Sequence, residues 1–172
     1  MKTDQELIRQ FQKGNYKAFD ELVTKHLQKT FKFFLRVTGS ESEAEDLSQT
    51  IFLKMFKALK NFKFESEFQT YLYRANVNQA NSYLRRNRWR NLLHLDEIPE
   101  PGVQDMDREN EWRKKELWDA IATLPAQQRK IVTMRIAQET PYKEIARILD
   151  ISENTAKVNY HHAVQTLKKR LN

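Results

Sequence analysis

Residues 70–90 read TYLYRANVNQANSYLRRNRWR, with aromatic rings, amides and arginines interleaved and no proline or glycine. Each of these groups has a chemistry that suits nucleic acid. Aromatic faces stack on unpaired bases, guanidinium groups meet phosphates, and an amide such as Asn78 both donates and accepts, as a base edge requires. The same residues also suit an ordinary helix with a buried aromatic side and a solvated basic end. The segment alone leaves both readings open.

Other reactive residues are sparse. The chain has four histidines and no cysteine, so it offers no disulfide, thiolate metal site or thiol nucleophile. His161 and His162 are adjacent. Neighbours on a helix point about 100° apart, and with no third ligand nearby they make a poor metal site. No glycine-rich phosphate loop or paired-acid motif is present. The expectation is a binding protein and not an enzyme, with no metal, cofactor or small-molecule substrate.

Charge points to a polyanion. The 172 residues carry a net charge of +7, unevenly spread. Residues 1–93 hold 17 Lys+Arg against 10 Asp+Glu, residues 94–111 hold 1 against 7, and residues 112–172 hold 12 against 6. Two basic blocks thus flank an acidic strip, a pattern that fits nucleic acid but also a merely solvated lysine-rich surface. The polar, mixed-charge start MKTDQELIRQ is unlike a signal peptide, and the apolar runs are too short to span a membrane. A soluble, cytoplasmic protein is expected.

The elements that would position these residues are helical. Only 3 Gly and 4 Pro disfavour an all-β fold. Thr3 with Glu6 forms a capping-box pair, and Gly14 can end that first helix. Tyr16, Phe19, Leu22, Val23, Leu27, Phe31, Phe34 and Leu35 give the next helix a buried stripe. After Gly39, Ser40 and Ser42 precede Glu43 and Glu45 by three residues and start a third helix, with stripe Leu47, Ile51, Phe52, Met55, Phe56 and Leu59. Leu72, Ala75, Ala80, Tyr83 and Leu84 are expected in the core of the quoted segment. Residues 94–111, rich in acids and holding two prolines and a glycine, read as a flexible linker. A helix from Trp112 to Thr123 follows, then one opened by Pro125.

The last segment carries the clearest motif. Pro141 stands at a first helical position, and Ile145, Ala146 and Leu149 are expected to be buried. Asp150-Ile151 make a short turn before Ser152 caps a second helix, with Thr155, Val158 or Ala156, His162, Ala163 and Leu167 inward. Helices joined so tightly cross steeply, as in a helix-turn-helix, whose second helix enters a major groove about 12 Å wide. An ordinary helical hairpin has the same bare pattern.

Taken together, the sequence resembles the extracytoplasmic-function group of bacterial sigma-70 factors. The likeness rests on AFDELVTKH, SEAEDLSQTIFLKMFKAL and FESEFQTYLYRANVNQANSYLRR in the first half. In the second half it rests on LWDAIATLPAQQRKIVTMRI and YKEIARILDISENTAKVNYHHA. The order and spacing of these blocks over nearly the whole chain make it specific. The resemblance implies an all-α protein of two small helical domains joined by an acidic flexible linker. A region 2-like domain over 1–93 would bind core RNA polymerase and recognise and melt the −10 element. The linker would cover 94–111, and a region 4-like helix-turn-helix over 112–172 would recognise the −35 element. Implied partners are core RNA polymerase, through its β′ and β subunits, promoter DNA and an anti-sigma factor that could hold the protein at the inner membrane face.

The resemblance also assigns residues. Polymerase binding falls to Asp46, Leu47, Gln49 and Phe52, with Thr50 where a glutamate is usual. The −10 face takes Lys54, Phe62, Lys63, Phe64, Glu65, Ser66, Phe68, Tyr71, Asn78, Arg85 and Arg86. A base must leave the duplex before its Watson–Crick edge can be read, so a loop and pocket suit this task. Phe64 replaces a common glycine, and Asn76 replaces a common alanine. The −35 face takes Arg147, Thr155, Lys157, Val158, Asn159, His161 and His162. The family usually has Ser at 158 and Arg at 159 and 162. Arginine suits guanine and asparagine suits adenine, so a divergent −35 sequence or weaker contact is expected.

Overall fold

Several helices begin or end on local chemistry that the sequence supplies. The computed structural model describes residues 2–92 and 106–171. Its helices are α1 (Asp4–Gln12), α2 (Tyr16–Thr38), α3 (Glu41–Ala58), α4 (Phe68–Leu92), α5 (Met106–Ala122), α6 (Ala126–Gln138), α7 (Tyr142–Leu149) and α8 (Glu153–Leu171), with a 3-10 turn at Leu59–Asn61 after α3. The fold is all-α, and no strand occurs among the described residues. Thr3 Oγ1 accepts from the Glu6 amide while Glu6 accepts from the Thr3 amide, which is the expected capping box. Ser40 caps α3 by accepting from the Glu43 amide, whereas Ser42 lies inside that helix. Gly39 closes α2 in the left-handed conformation (φ 69°), where a Cβ would be strained.

The chain forms two compact units, Met1–Asn76 and Val77–Asn172, with the division inside α4. In the first, α2 packs against α1 and α3. Ile8, Leu22, Phe33, Phe34, Ile51 and Leu59 are fully buried. Each such side chain contributes about 1.5–3 kcal/mol relative to leaving it exposed. The expected α2 stripe needs correction. Leu27 is 44% and Tyr16 60% exposed, while His26 and Thr30 are buried in the stripe. Polar groups can occupy those places because each has a partner. Asp4 Oδ2 lies 2.9 Å from His26 Nε2, and Asn76 Nδ2 lies 3.5 Å from Thr30 Oγ1. Asn76 is therefore a buried, structural amide.

In the second unit α8 packs against α5, α6 and α7. Ala156 and Ala163 are completely buried and let the neighbouring helices approach closely. Asp150 ends α7 in the left-handed region (φ 55°), and the Ile151 amide donates to Ala146 O at 3.0 Å. Ser152 Oγ then accepts from the Thr155 amide at 2.9 Å as α8 begins. This is the expected helix-turn-helix, with three corrections. Pro141 is the residue before α7 and not its first helical residue. The deeply buried residue near the end of α7 is Ile148, with Leu149 half-buried. Val158 and His162 face outward, because Ala156, Ala163 and Leu167 already define the inner face.

Helix α5 starts at Met106, ahead of the expected Trp112, and residue 93 and residues 94–105 of the linker region lie outside the described residues. No helix among the described residues is long and apolar enough to cross a membrane.

Candidate polymerase and promoter interfaces

The segment between the 3-10 turn and α4 is a row of rings. Phe62 meets Phe64 edge-on at a centroid distance of 5.2 Å and Tyr71 at the same distance. All three are half-buried. Their faces are close enough to the surface to meet an unstacked base, and base stacking is worth about 1–3 kcal/mol per base. Phe64 has φ 59°, in the left-handed region. That conformation costs a residue with a Cβ about 1–2 kcal/mol. A glycine would adopt this conformation without that cost, whereas here the Phe64 ring is held against Phe62 and the Arg9 guanidinium. Lys63, Glu65 and Ser66 project around the row as exposed residues.

Phe68 departs from its expected role. It is 3% exposed and stands edge-on to the His26 ring at 5.2 Å. A base reaching it would have to open the core, so it anchors the loop's end and does not form part of its surface. His26 is held below the ordinary histidine value chiefly by burial, against the opposing pull of Asp4. Asp4 also pairs with Lys25 at 2.7 Å. The neutral imidazole donates from Nε2 to the Asp4 carboxylate and seats Phe68, and with it the start of α4.

On α3, Asp46 and Gln49 are exposed, and Leu47 and Phe52 are buried at 5% and 7%. Leu47 and Phe52 therefore fix the helix to the core, while the polar pair faces outward. Leu53 is 67% exposed and was missed in the sequence reading. It lies seven residues after Asp46, hence on the same helix face, and this spacing is the signal that could have found it. Asp46, Gln49, half-buried Thr50 and Leu53 form a stripe with polar groups around an apolar contact. Lys54, next along, is exposed.

Helix α4 separates the two readings of its sequence by face. Leu72, Ala80, Tyr83 and Leu84 are buried as expected, and Ala75 is half-buried. Asn76 and Asn81 are buried too; Asn81 Nδ2 donates to Val77 O at 2.8 Å. Asn78 is exposed, as are Arg85, Arg86, Arg88 and Trp89.

Along α8, Lys157, Val158, His161 and His162 are exposed, and Arg147 of α7 is exposed as well. Thr155 and Asn159 are partly committed. Thr155 Oγ1 lies 2.7 Å from Ser152 Oγ, and Asn159 Nδ2 donates to Thr155 O at 2.9 Å. Asn159 keeps its carbonyl oxygen to offer. Lys157 pairs with Glu153 one turn back at 2.8 Å. Tyr160 faces the neighbouring helices, edge-on to Tyr142 at 5.7 Å, and the Arg135 guanidinium lies over both rings. Arg135 also donates to Thr140 O at 2.9 Å. One side chain of α6 thereby ties α7 to α8, a positioning role that the sequence reading missed. No group of three or more metal-ligating residues occurs among the described residues.

Comparison with known proteins also finds two parts, with the whole of α4 up to residue 90 in the first. Residues 22–90 match the family model for sigma-70 region 2, and residues 114–167 match that for sigma-70 region 4. Over 98% of its length the chain is similar to the ECF RNA polymerase sigma-E factor of Haemophilus influenzae, at 32% identity and 95% of that protein. The Escherichia coli sigma-E factor is 30% identical over 98% of this chain and 94% of its own. Among solved structures, CnrH in complex with the cytosolic domain of CnrY shares the fold (TM-score 0.62, 21% identity, 98% of this chain and 96% of that one). So does the sigma factor RpoE in complex with the anti-sigma factor NepR from Bartonella quintana (TM-score 0.52, 21% identity, 90% and 97%).

Proposed function

The chain belongs to the extracytoplasmic-function group of the sigma-70 family, a non-enzymatic factor for promoter-specific initiation by RNA polymerase, and from that premise we propose how its surfaces share the work. Residues 1–93 serve core binding and the −10 element, residues 94–111 join the two parts, with 106–111 already in α5, and residues 112–172 serve the −35 element. The exposed α3 stripe of Asp46, Gln49 and Leu53 docks on core polymerase, with Leu47 and Phe52 holding the stripe in place. Phe62, Phe64 and Tyr71 receive unstacked −10 bases, Lys54 and Asn78 contribute polar contacts, and Lys63, Glu65 and Ser66 edge the loop. Arg85 and Arg86 meet phosphates, which set position and not sequence.

At the −35 element, Lys157, Val158, His161 and His162 reach the groove from α8, Asn159 offers an acceptor, Thr155 and Arg147 flank them. With no arginine in this set on α8, guanine readout is weak and the preferred −35 sequence is divergent. The polymerase contacts are with its β′ and β subunits. An anti-sigma partner, of the kind that RpoE binds in NepR, covers the docking surfaces and can retain the cytoplasmic protein at the inner membrane face.

The observation that carries this reading is the exposure of Asn78 and of the α8 positions 157, 158, 161 and 162, on helices whose other sides are buried through Val77 and Ala80 on α4 and Ala156, Ala163 and Leu167 on α8. The test is run-off transcription with core polymerase on a genomic library, followed by start-site mapping. Factor-dependent transcripts sharing paired upstream elements are expected. Their absence sinks the proposal. In the same assay Asn78→Ala and Lys54→Ala should alter −10 selectivity; unchanged selectivity rejects the pocket assignment.

A further inference from the structure

Helix α1 lies outside residues 22–90, the part matched to region 2. Two of its side chains nevertheless reach the −10 loop. Gln12 Nε2 donates to Leu59 O at 2.9 Å and to Phe62 O at 3.0 Å, so a single amide ties both sides of the 3-10 turn's exit. One helical turn earlier, the Arg9 guanidinium carbon lies 5.3 Å from the centroid of the Phe64 ring. Phe64 is also the residue held in the left-handed conformation. The row therefore runs Arg9, Phe64, Phe62, Tyr71, with a cation at its N-terminal end.

We propose that Arg9 and Gln12 are positioning residues for the −10 loop, which makes α1 a determinant of promoter specificity. The inference rests on the loop being the −10 reader. Its physical basis is that a left-handed phenylalanine persists only where its surroundings hold it. Gln12 fixes the backbone where the loop starts, so the ring at 64 leaves from a set point. Arg9 then holds that ring through a cation–π contact. Without Arg9 the residue can relax to an ordinary backbone conformation and carry its ring out of the row. Arg9 acts through Phe64 and does not itself read a base.

The test uses the full chain with core polymerase on a promoter recovered by start-site mapping, with every base substituted in turn across the −10 element. Holoenzyme assembly is measured alongside. Arg9→Ala should change relative preference among −10 bases by roughly two- to fivefold, the size of an exposed cation–π contact. Assembly with core polymerase should stay as in the unmodified protein. Gln12→Ala should shift preference in the same direction. Phe64→Gly should shift it as well, and adding Arg9→Ala to Phe64→Gly should produce no further change. Arg9→Lys, which keeps a cation over the ring, should restore part of the preference. The proposal is overturned if Arg9→Ala leaves base preference unchanged. It is also overturned if its effect persists undiminished in the Phe64→Gly protein, since Arg9 would then be touching phosphate directly. Asn78→Ala and Phe64→Gly separate the two levels. If neither moves −10 preference, the loop is not the reader; if both do and Arg9→Ala does not, only the role of α1 fails.

Discussion

In the proposed function, the loop at residues 62–67 and helix α8 present side chains to DNA in two different ways. In the loop, the presenting groups hold one another: Phe62 touches both Phe64 and Tyr71, and Arg9 covers Phe64. On α8, the outward groups stand on a helix whose inner face is fixed by Ala156, Ala163 and Leu167. Position in the loop thus depends on contacts among the readers, and one of them, Phe64, is under backbone strain. Position on α8 depends on a core that the readers do not enter. Substitutions in the loop should therefore change several contacts together, whereas outward substitutions on α8 should act one at a time. The two designs also place strain differently. Phe64 and Asp150 are both left-handed, but aspartate tolerates that conformation and phenylalanine rarely adopts it.

The contrast breaks most visibly if the support of α8 is removed. Ile145 on α7 is fully buried, and Ile145→Ala should cost about 2–5 kcal/mol. Chemical denaturation would measure the loss. Transcription should lose its dependence on the −35 sequence while the pattern of −10 preference stays as it was. A simultaneous change in −10 preference would show that the readers are not separable in this way. A smaller and more symmetrical test removes one helix cap beneath each reader. Ser152→Ala frees the first turn of α8, and Thr3→Ala frees that of α1, which carries Arg9. Each should cost about 0.5–2 kcal/mol. Ser152→Ala should weaken −35 discrimination only, and Thr3→Ala should weaken −10 discrimination only. Equal effects of either variant on both elements would undo the comparison.

What could be read in the sequence was local. The Thr3–Glu6 box, the Ser40 and Ser152 caps and the short turn at Asp150 depend on residues within a few positions of one another, and each was expected where it occurs. Asn78, Asp46 and Gln49, which the family resemblance assigned to outward faces, are exposed as well. What could not be read was pairing at a distance. His26 and Thr30 were passed over for the core because no nearby residue could satisfy them. Their partners are Asp4, 22 residues earlier, and Asn76, 46 residues later. Arg9 over Phe64 escaped for the same reason. Phe64 was expected on the −10 face and as a departure from glycine, but its left-handed backbone was not, since the sign of φ is not visible in a side chain. Leu53 is different: its period with Asp46 was available and was overlooked.

The buried His26 sharpens the comparison by giving the loop's anchor a dependence on pH that α8 lacks at its own buried positions. Burial is the largest influence and lowers the His26 pKa from the ordinary 6.5, while Asp4 raises it and Lys25 and Lys29 lower it further. The neutral form is therefore favoured in the folded state. As pH falls through 6.5, the unfolded chain takes up a proton that the folded chain still resists, and stability declines. The decline ends once pH is below the folded value, where both states are protonated. Stability from this residue is thus present above 6.5 and lost below it. Denaturation of the unmodified protein followed across that window should show stability rising with pH. His26→Gln, which keeps a donor toward Asp4 without titrating, should flatten that rise. Because His26 seats Phe68 at the end of the loop, −10 discrimination should weaken with the same pH dependence, and −35 discrimination should not. An unchanged slope in His26→Gln would assign the pH dependence to other groups and leave the loop's anchor indifferent to protons.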